Sequence, residues 1–299
     1  MLTLLMVELG ILRLDDPVAE YLPELSEPRV LTRPDGPLDQ FGPAERAITL
    51  RHLLTMTAGF GWAGQGTPLA EAMAAQQIAP GPFAPQMFAD DYMGRLGSLP
   101  LSNQPGRGWN YHNCSDVLGV LLARATGRSL SELLEEHVCD PLGLQDIGFT
   151  AAPGRLPISY AADPNGGIRA LDTVTRFSAP PTFASLACGL TSTIEGYLRF
   201  LDVLVVGSPV LSADTAQQMC TDHLTSEQVA LSAGFVEPGN GYGYQVEVRS
   251  HEVVGWAGGL GTIGYVNRRT GRSAAVFVPQ SVDVPGTTDA LEQVWTLLR

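Results

Sequence analysis

Apolar residues recur at helical spacing through the first two thirds of the chain, then switch to alternation near its end. In the opening run MLTLLMVELGILRLDDP, Leu2, Leu4, Leu5, Val7, Leu9 and Leu12 mark part of a buried helix, with Gly10 near its end. Thr49 is placed to cap a short helix through His52, Leu53 and Leu54 that stops at Gly59. Thr67 and Pro68 with Glu71 start another, which the Pro/Gly-rich stretch 80–85 breaks. Ser115 begins an apolar helix over 117–125 that Gly127 ends, and Ser129 with Glu132 reads as the capping box of a helix stopping before Asp140 and Pro141. Ser192 with Glu195 repeats that device ahead of Tyr197, Leu198, Leu201 and Leu204.

After Gly239 residues 242–248 alternate, and 253–256, 263–266 and 274–278 read as further strands, with a hairpin turn at 267–271. Residues 288–298 form an amphipathic helix carrying Leu291, Val294, Trp295 and Leu298 on one face. The class this predicts is α+β, as a single domain over 1–299. A mostly helical region fills roughly 15–190, and an antiparallel sheet with its packed terminal helix fills 191–299.

Composition narrows the chemistry. A hydrophobic fraction of 44% argues against a disordered chain, and a net charge of −13 repels phosphate backbones and anionic membrane surfaces, so no nucleic-acid partner is expected. All 18 basic residues are arginine. The absence of lysine removes a lysine base, a Schiff base and a P-loop lysine from this chain's means. Cys114, Cys139, Cys188 and Cys220 form no CxxC pair and read as buried free thiols. His112 with Cys114 and His137 with Cys139 lack a matching half-site, so neither a metal site nor a cofactor is expected. The amino terminus has no basic segment and Glu8 interrupts its apolar run, which suits neither a signal peptide nor a membrane span. Neither compartment nor oligomeric state follows.

The common hydrolase devices are missing. No GxSxG elbow occurs, and the nearest approach, 127–131, reads as a helix cap. What remains is an ordered set of segments: Leu14-Asp15-Asp16-Pro17-Val18, Ile48-Thr49-Leu50-Arg51-His52-Leu53-Leu54-Thr55, and Pro105-Gly106-Arg107-Gly108-Trp109-Asn110-Tyr111-His112-Asn113. After them come Thr126-Gly127-Arg128-Ser129, Asp140-Pro141-Leu142-Gly143-Leu144, Gly189-Leu190-Thr191-Ser192-Thr193 and Gly255-Trp256-Ala257-Gly258-Gly259. In this order the chain resembles the serine β-lactamase-like family, which includes class C β-lactamases, esterases, D-aminopeptidases and penicillin-binding proteins. The resemblance implies a β-lactamase/transpeptidase-like fold and a small-molecule ester or amide substrate.

That family works through three motifs: SxxK, YxN, and KTG or a variant such as WxG. By resemblance, Tyr111 of Tyr111-His112-Asn113 would relay protons, Asn113 would hold a substrate carbonyl, and His112 would point away. Trp256, Ala257 and Gly258 would form the substrate-binding strand, and the Gly259 N–H would be one oxyanion donor. Indole in place of lysine or histidine cannot pair a substrate carboxylate, which points to the esterase-like branch. Two plainer readings stay open, a loop shaped by Tyr111 and Asn113 and a glycine-rich bulge at 256–259. Met56 and Ala58 stand where the family often has histidine and serine, and the acidic pairs Asp15-Asp16, Asp90-Asp91 and Glu135-Glu136 read as turns and solvated faces.

The first motif does not occur. The resemblance places SxxK a handful of residues before the position of Met1, in the helix leading to Leu14-Asp15-Asp16-Pro17-Val18, and the opening helix has no cap. The expectation is an amino-terminally truncated chain lacking a helix and two strands of its fold, with an open strand edge near 274–278. As it stands it would not form an acyl-enzyme, its parent being an esterase-like serine hydrolase. The alternative is a pseudoenzyme that keeps the cleft for binding.

Overall fold

The computed structural model describes residues 1–206, 208–249 and 252–298. Helix α1 (Leu2–Glu8) buries Leu2, Leu4 and Met6. The short strands β1 (Arg29–Leu31) and β2 (Phe41–Pro43) pair antiparallel ahead of α2 (Leu50–Leu54), which Thr49 caps in a reciprocal box with His52. Helices α3 (Pro68–Ala75) and α4 (Ala89–Ser98) lead to the long α5 (Asn113–Thr126), closed by Gly127 in the left-handed conformation. Next, α6 (Leu130–Leu134) starts at the Ser129–Glu132 capping box and passes through a π-helical stretch, Glu135–Cys139, into α7 (Asp140–Leu142). A second hairpin, β3 (Ser159–Ala162) with β4 (Ile168–Leu171), and α8 (Thr173–Arg176) precede α9 (Ile194–Val206), α10 (Ala213–Met219) and α11 (Ser226–Ala230).

The carboxy-terminal part is an antiparallel sheet in the order β5 (Gly241–Tyr242), β6 (Glu247–Arg249), β7 (Val253–Gly258), β8 (Thr262–Asn267) and β9 (Arg272–Phe277). It is followed by α12 (Thr287–Leu291) and α13 (Val294–Leu297). Strand alternation sorts β8 between two layers. Ile263 and Tyr265 join Leu291, Val294 and Leu298 in one cluster, while Val266 belongs to the main core with Leu201 and Leu204 of α9. Gly264 makes the α9 side possible, because a Cβ there would run into the Tyr197 ring. Among the described residues no helix is long and apolar enough to cross a membrane.

The architecture is the α+β arrangement the pattern predicts, but several elements differ. The acidic pair Asp90-Asp91 lies on a solvated face, not in a loop: it fills the first turn of α4, where carboxylates favour the helix dipole, and Asp90 reaches Arg124 at 2.7 Å. Two glycines inside α4 lower its intrinsic propensity, which burial of Tyr92, Met93 and Leu96 overrides. Helix α5 begins at Asn113 rather than Ser115, and the helix after Ser129 does not stop before Asp140-Pro141. Pro141 sits in the first turn of α7, where its missing N–H costs nothing, and Gly143 ends the run at φ 65°. Ahead of α9 it is Thr193, not Ser192, whose hydroxyl accepts the Gly196 N–H at 3.1 Å.

Residues 242–248 are not one strand. Gln245 takes φ 65° and the Gly243 N–H meets the Val246 carbonyl at 2.8 Å, folding the segment into a hairpin. Tyr242, Tyr244 and Val246 are all buried, but so are Gly243 and Glu247, so the segment has no exposed alternate face. Residues 288–298 divide between α12 and α13, and the mostly helical region also carries the two small hairpins. Strand β9 is the outer strand of its sheet, at the place where an open edge is expected.

Candidate active site

Strand β7 is paired unequally on its two sides. Toward β8 its ladder runs from Val253 opposite Asn267 to Gly258 opposite Thr262, but toward β6 it ends at Gly255 opposite Glu247. Among the described residues the stretch Trp256–Gly258 therefore has no strand on the β6 side. A free edge of this kind presents backbone donors and acceptors to whatever lies beside it. Just past it, the Gly259 carbonyl accepts from Ser281 Oγ at 2.9 Å and from the Val282 N–H at 3.0 Å, which holds the turn in place. Pro82, from the Pro/Gly-rich loop after α3, lies against Gly259.

Tyr111 reaches the same place from the helical region. Its segment is bolted down by the Asn110 N–H to the Met56 carbonyl at 2.9 Å, and its own carbonyl accepts the Trp62 N–H at 2.8 Å. The indole Nε1–H of Trp256 donates to Tyr111 Oη at 3.3 Å, across 145 residues of sequence. Burial pushes the Tyr111 phenol above its ordinary value, the indole hydrogen bond opposing in part. Among the described residues no arginine acts on it, so at neutral pH it stays a protonated phenol.

The next residue turns the chain. His112 adopts φ 90° and ψ −74°, and its buried imidazole lies 3.7 Å from Asp116 Oδ2. Burial drives His112 down to about 4 and Asp116 up to about 7, hydrogen bonds from Ser185 and Tyr92 opposing the latter. At a pH between those values the two are a neutral pair rather than an ion pair. Asn113 faces the same interior: 1% exposed, its Nδ2 donates to the Ile78 carbonyl at 3.0 Å and to Tyr92 Oη at 2.7 Å. To grip a substrate carbonyl, as the resemblance implies, Asn113 would have to leave this seat.

Tyr111 and Trp256 are thus brought together, with Gly258 and Gly259 beside them. Ala257 packs its methyl with the α13 cluster on the other face, and Asn113 lies behind the cleft wall. Of the three buried side-chain polar atoms without a partner among the described residues, Asn113 Oδ1 and Trp109 Nε1 are both here. The thiols of Cys114 and Cys188 are pushed up to about 12 by burial, as suits inert free cysteines, and no group able to hold a metal occurs among the described residues.

The beta-lactamase family model matches residues 1–295. The chain belongs to the beta-lactamase family. Protein Rv1367c of Mycobacterium tuberculosis is 35% identical over 278 residues, covering 87% of this chain and 67% of its own. Esterase EstB of Burkholderia gladioli is 29% identical over 300 residues, covering 91% and 72%. Among solved structures, the LovD6 mutant of simvastatin synthase from Aspergillus terreus superposes with a TM-score of 0.77 at 24% identity, over 99% of this chain and 76% of that one. EstCE1, a hydrolase with promiscuous acyltransferase activity, gives 0.76 at 21% over 97% and 80%. The fold is therefore β-lactamase/transpeptidase-like.

In this beta-lactamase-family chain, residues that no motif singled out surround the Tyr111–Trp256 pair. Phe235 stacks on Tyr111 with ring centroids 4.7 Å apart, and Trp62 meets Phe235 edge-on at 5.4 Å. Behind them, Trp109 and Tyr242 are buried. The available signal was local: an aromatic residue directly after a glycine at Trp62, and again at Phe235, in stretches without helical or strand period.

Proposed function

We propose that this chain carries the substrate cleft of an esterase-like serine hydrolase that takes neutral small-molecule esters. The observation that carries the reading is the Trp256 Nε1 to Tyr111 Oη hydrogen bond at 3.3 Å, which joins the second and third family motifs beside a strand edge without a partner. An ester carbonyl laid along 256–258 would direct its oxygen at the Gly259 N–H, which stabilises negative charge as it develops. Tyr111 would pass a proton between nucleophile and leaving group. It needs a neighbouring cation to act as a base near neutral pH, because burial alone holds it protonated. Trp256 offers no charge to a substrate carboxylate, which favours neutral esters over anionic substrates.

The 299-residue sequence contains no lysine, so no SxxK motif, with its serine nucleophile and neighbouring cation, occurs in it. On that ground the chain by itself is expected to form no acyl-enzyme, and its catalytic parent would supply both groups in SxxK. A fluorophosphonate serine probe tests this, applied to the 299-residue chain and to the product of any in-frame extension upstream of Met1. Labelling of the longer product alone, with ester turnover lost on Tyr111→Phe, supports the mechanism; equal labelling of both sinks it. The missing lysine also favours a second reading, a non-catalytic protein that keeps the cleft for binding. A stop codon directly upstream, with binding of a neutral ester analogue and no turnover, would decide for that reading.

A further inference from the structure

Four rings form a continuous run through Tyr111: Trp62 against Phe235, Phe235 against Tyr111 and Tyr111 against Trp256, with centroid separations of 5.4, 4.7 and 5.5 Å. All four are accessible, Trp62 most of all at 42% exposure, whereas the rings behind them, Trp109 and Tyr242, are 1% and 2% exposed. An exposed tryptophan alone would mean little. This one is held. Its N–H donates to the Tyr111 carbonyl at 2.8 Å and its carbonyl accepts from Asn110 Nδ2 at 3.3 Å. Gly61 allows that approach, because a Cβ there would lie 2.5 Å from the Tyr111 carbonyl oxygen. The Trp62 ring is therefore carried by the same backbone that sets Tyr111, and Phe235 bridges the two.

We propose that Trp62 and Phe235 form an aromatic shelf that selects a flat, neutral, aromatic or otherwise planar apolar group on the ligand, placing its carbonyl toward Tyr111 and the 256–259 edge. The proposal rests on the cleft being the substrate site. Face-on and edge-on contacts with rings already ordered by their neighbours cost a ligand little, and a planar group covers more of such a surface than a branched one. A carboxylate on that group would lose its hydration against rings that offer it no cation.

The test uses the 299-residue chain and calorimetric titration with methyl naphthyl ketone, a neutral aryl carbonyl that cannot be hydrolysed, and with naphthoate, its anionic counterpart. The shelf predicts that the ketone binds at least about tenfold more tightly than naphthoate, and that Trp62→Ala and Phe235→Ala each weaken the ketone by about tenfold. Trp62→Phe keeps most of the affinity. Phe88→Ala, an exposed aromatic on α4, serves as the control and changes nothing. Circular dichroism confirms the fold of each variant, and the ketone-to-naphthoate affinity ratio of the unsubstituted chain decides should either alanine variant unfold. Ketone affinity indifferent to Trp62→Ala and Phe235→Ala, or naphthoate binding as tightly as the ketone, overturns the shelf. Failure of the hydrolase reading looks different: shelf-dependent binding with no serine labelling in any longer product leaves the shelf standing. Ester turnover that ignores Trp62→Ala leaves the hydrolase standing and removes the shelf.

Discussion

Tyr111 and Asn113 are two residues apart and sit in opposite kinds of surroundings. Tyr111 lies among rings, half-buried, with its one side-chain hydrogen bond to an indole. Asn113 lies among polar groups, 1% exposed, bonded to Ile78 and Tyr92, with Asp116 and Ser185 just beyond. The turn between them is His112, whose φ of 90° is uncommon outside glycine. Such a conformation costs about 1–3 kcal/mol and persists where the surroundings determine it on both sides, as the bonds to Tyr111 and Asn113 do here. The contrast separates two jobs. A ligand-facing wall works best with flat apolar rings that leave no polar group in want of a partner. The layer behind it is shut off from water, so most of its polar groups are paired with one another, Asn113 Oδ1 and Trp109 Nε1 being the exceptions among the described residues.

Replacing Trp109 with alanine should break the contrast most severely, because this 1% exposed ring backs Tyr111 and Tyr242 together. A loss of about 3–5 kcal/mol in urea unfolding is expected. A loss below about 1 kcal/mol would mean that the wall does not lean on its backing. Asn113→Ala should cost about 1–3 kcal/mol, since it removes a donor from both Tyr92 and the Ile78 carbonyl in the interior. A value as small as that of an exposed substitution would argue that this amide is not held where it lies.

The neutral pair behind the wall gives an effect of intermediate size. His112 has its folded value below the unfolded one, so protonation favours unfolding and its contribution to stability rises as pH climbs from about 4 to 6.5. Asp116 has its folded value above, so ionisation favours unfolding and its contribution falls as pH climbs from 3.8 to about 7. In the parent chain the two slopes oppose each other. Asp116→Asn removes one, and its stability should then rise with pH across that window by on the order of 1 kcal/mol, read from thermal midpoints. A flat profile in the variant would show that His112 does not titrate as its burial requires. The smallest effect belongs to the open side. Tyr111→Phe deletes one hydrogen bond from a half-buried phenol and should cost no more than about 1 kcal/mol. A larger loss than for Asn113→Ala would reverse the assignment of the two environments.

Parts of this arrangement are legible before any folding is considered. Thr49, Ser129 with Glu132, Gly127 and the turn ending at Gly271 work through neighbours three or four residues away, so their residue types suffice. Helix α4 was hidden because its glycines speak against a helix and only packing of Tyr92, Met93 and Leu96 decides otherwise. The β5–β6 hairpin was hidden because its buried tyrosines keep the period of a single strand through the turn. Tyr111 and Trp256 could be named as a pair only through resemblance to a family, since nothing in local pattern links positions 145 residues apart. Trp62 and Phe235 offer only the local sign of an aromatic after a glycine, which does not say that the two meet.

The sequence by itself determined the charge of −13, the absence of lysine, and with it which catalytic cation this chain cannot supply. It also determined the helix starts at Thr49, Thr67 and Ser129 and the change of period after Gly239, because these depend on residue type and short-range hydrogen bonds. The tertiary structure alone decided that β6 stops short of Trp256, that Asn113 turns inward while Tyr111 faces the cleft, and that four distant rings make one surface. Those outcomes depend on which groups lose water together. Desolvation is set by every neighbour in space and by none in particular along the chain.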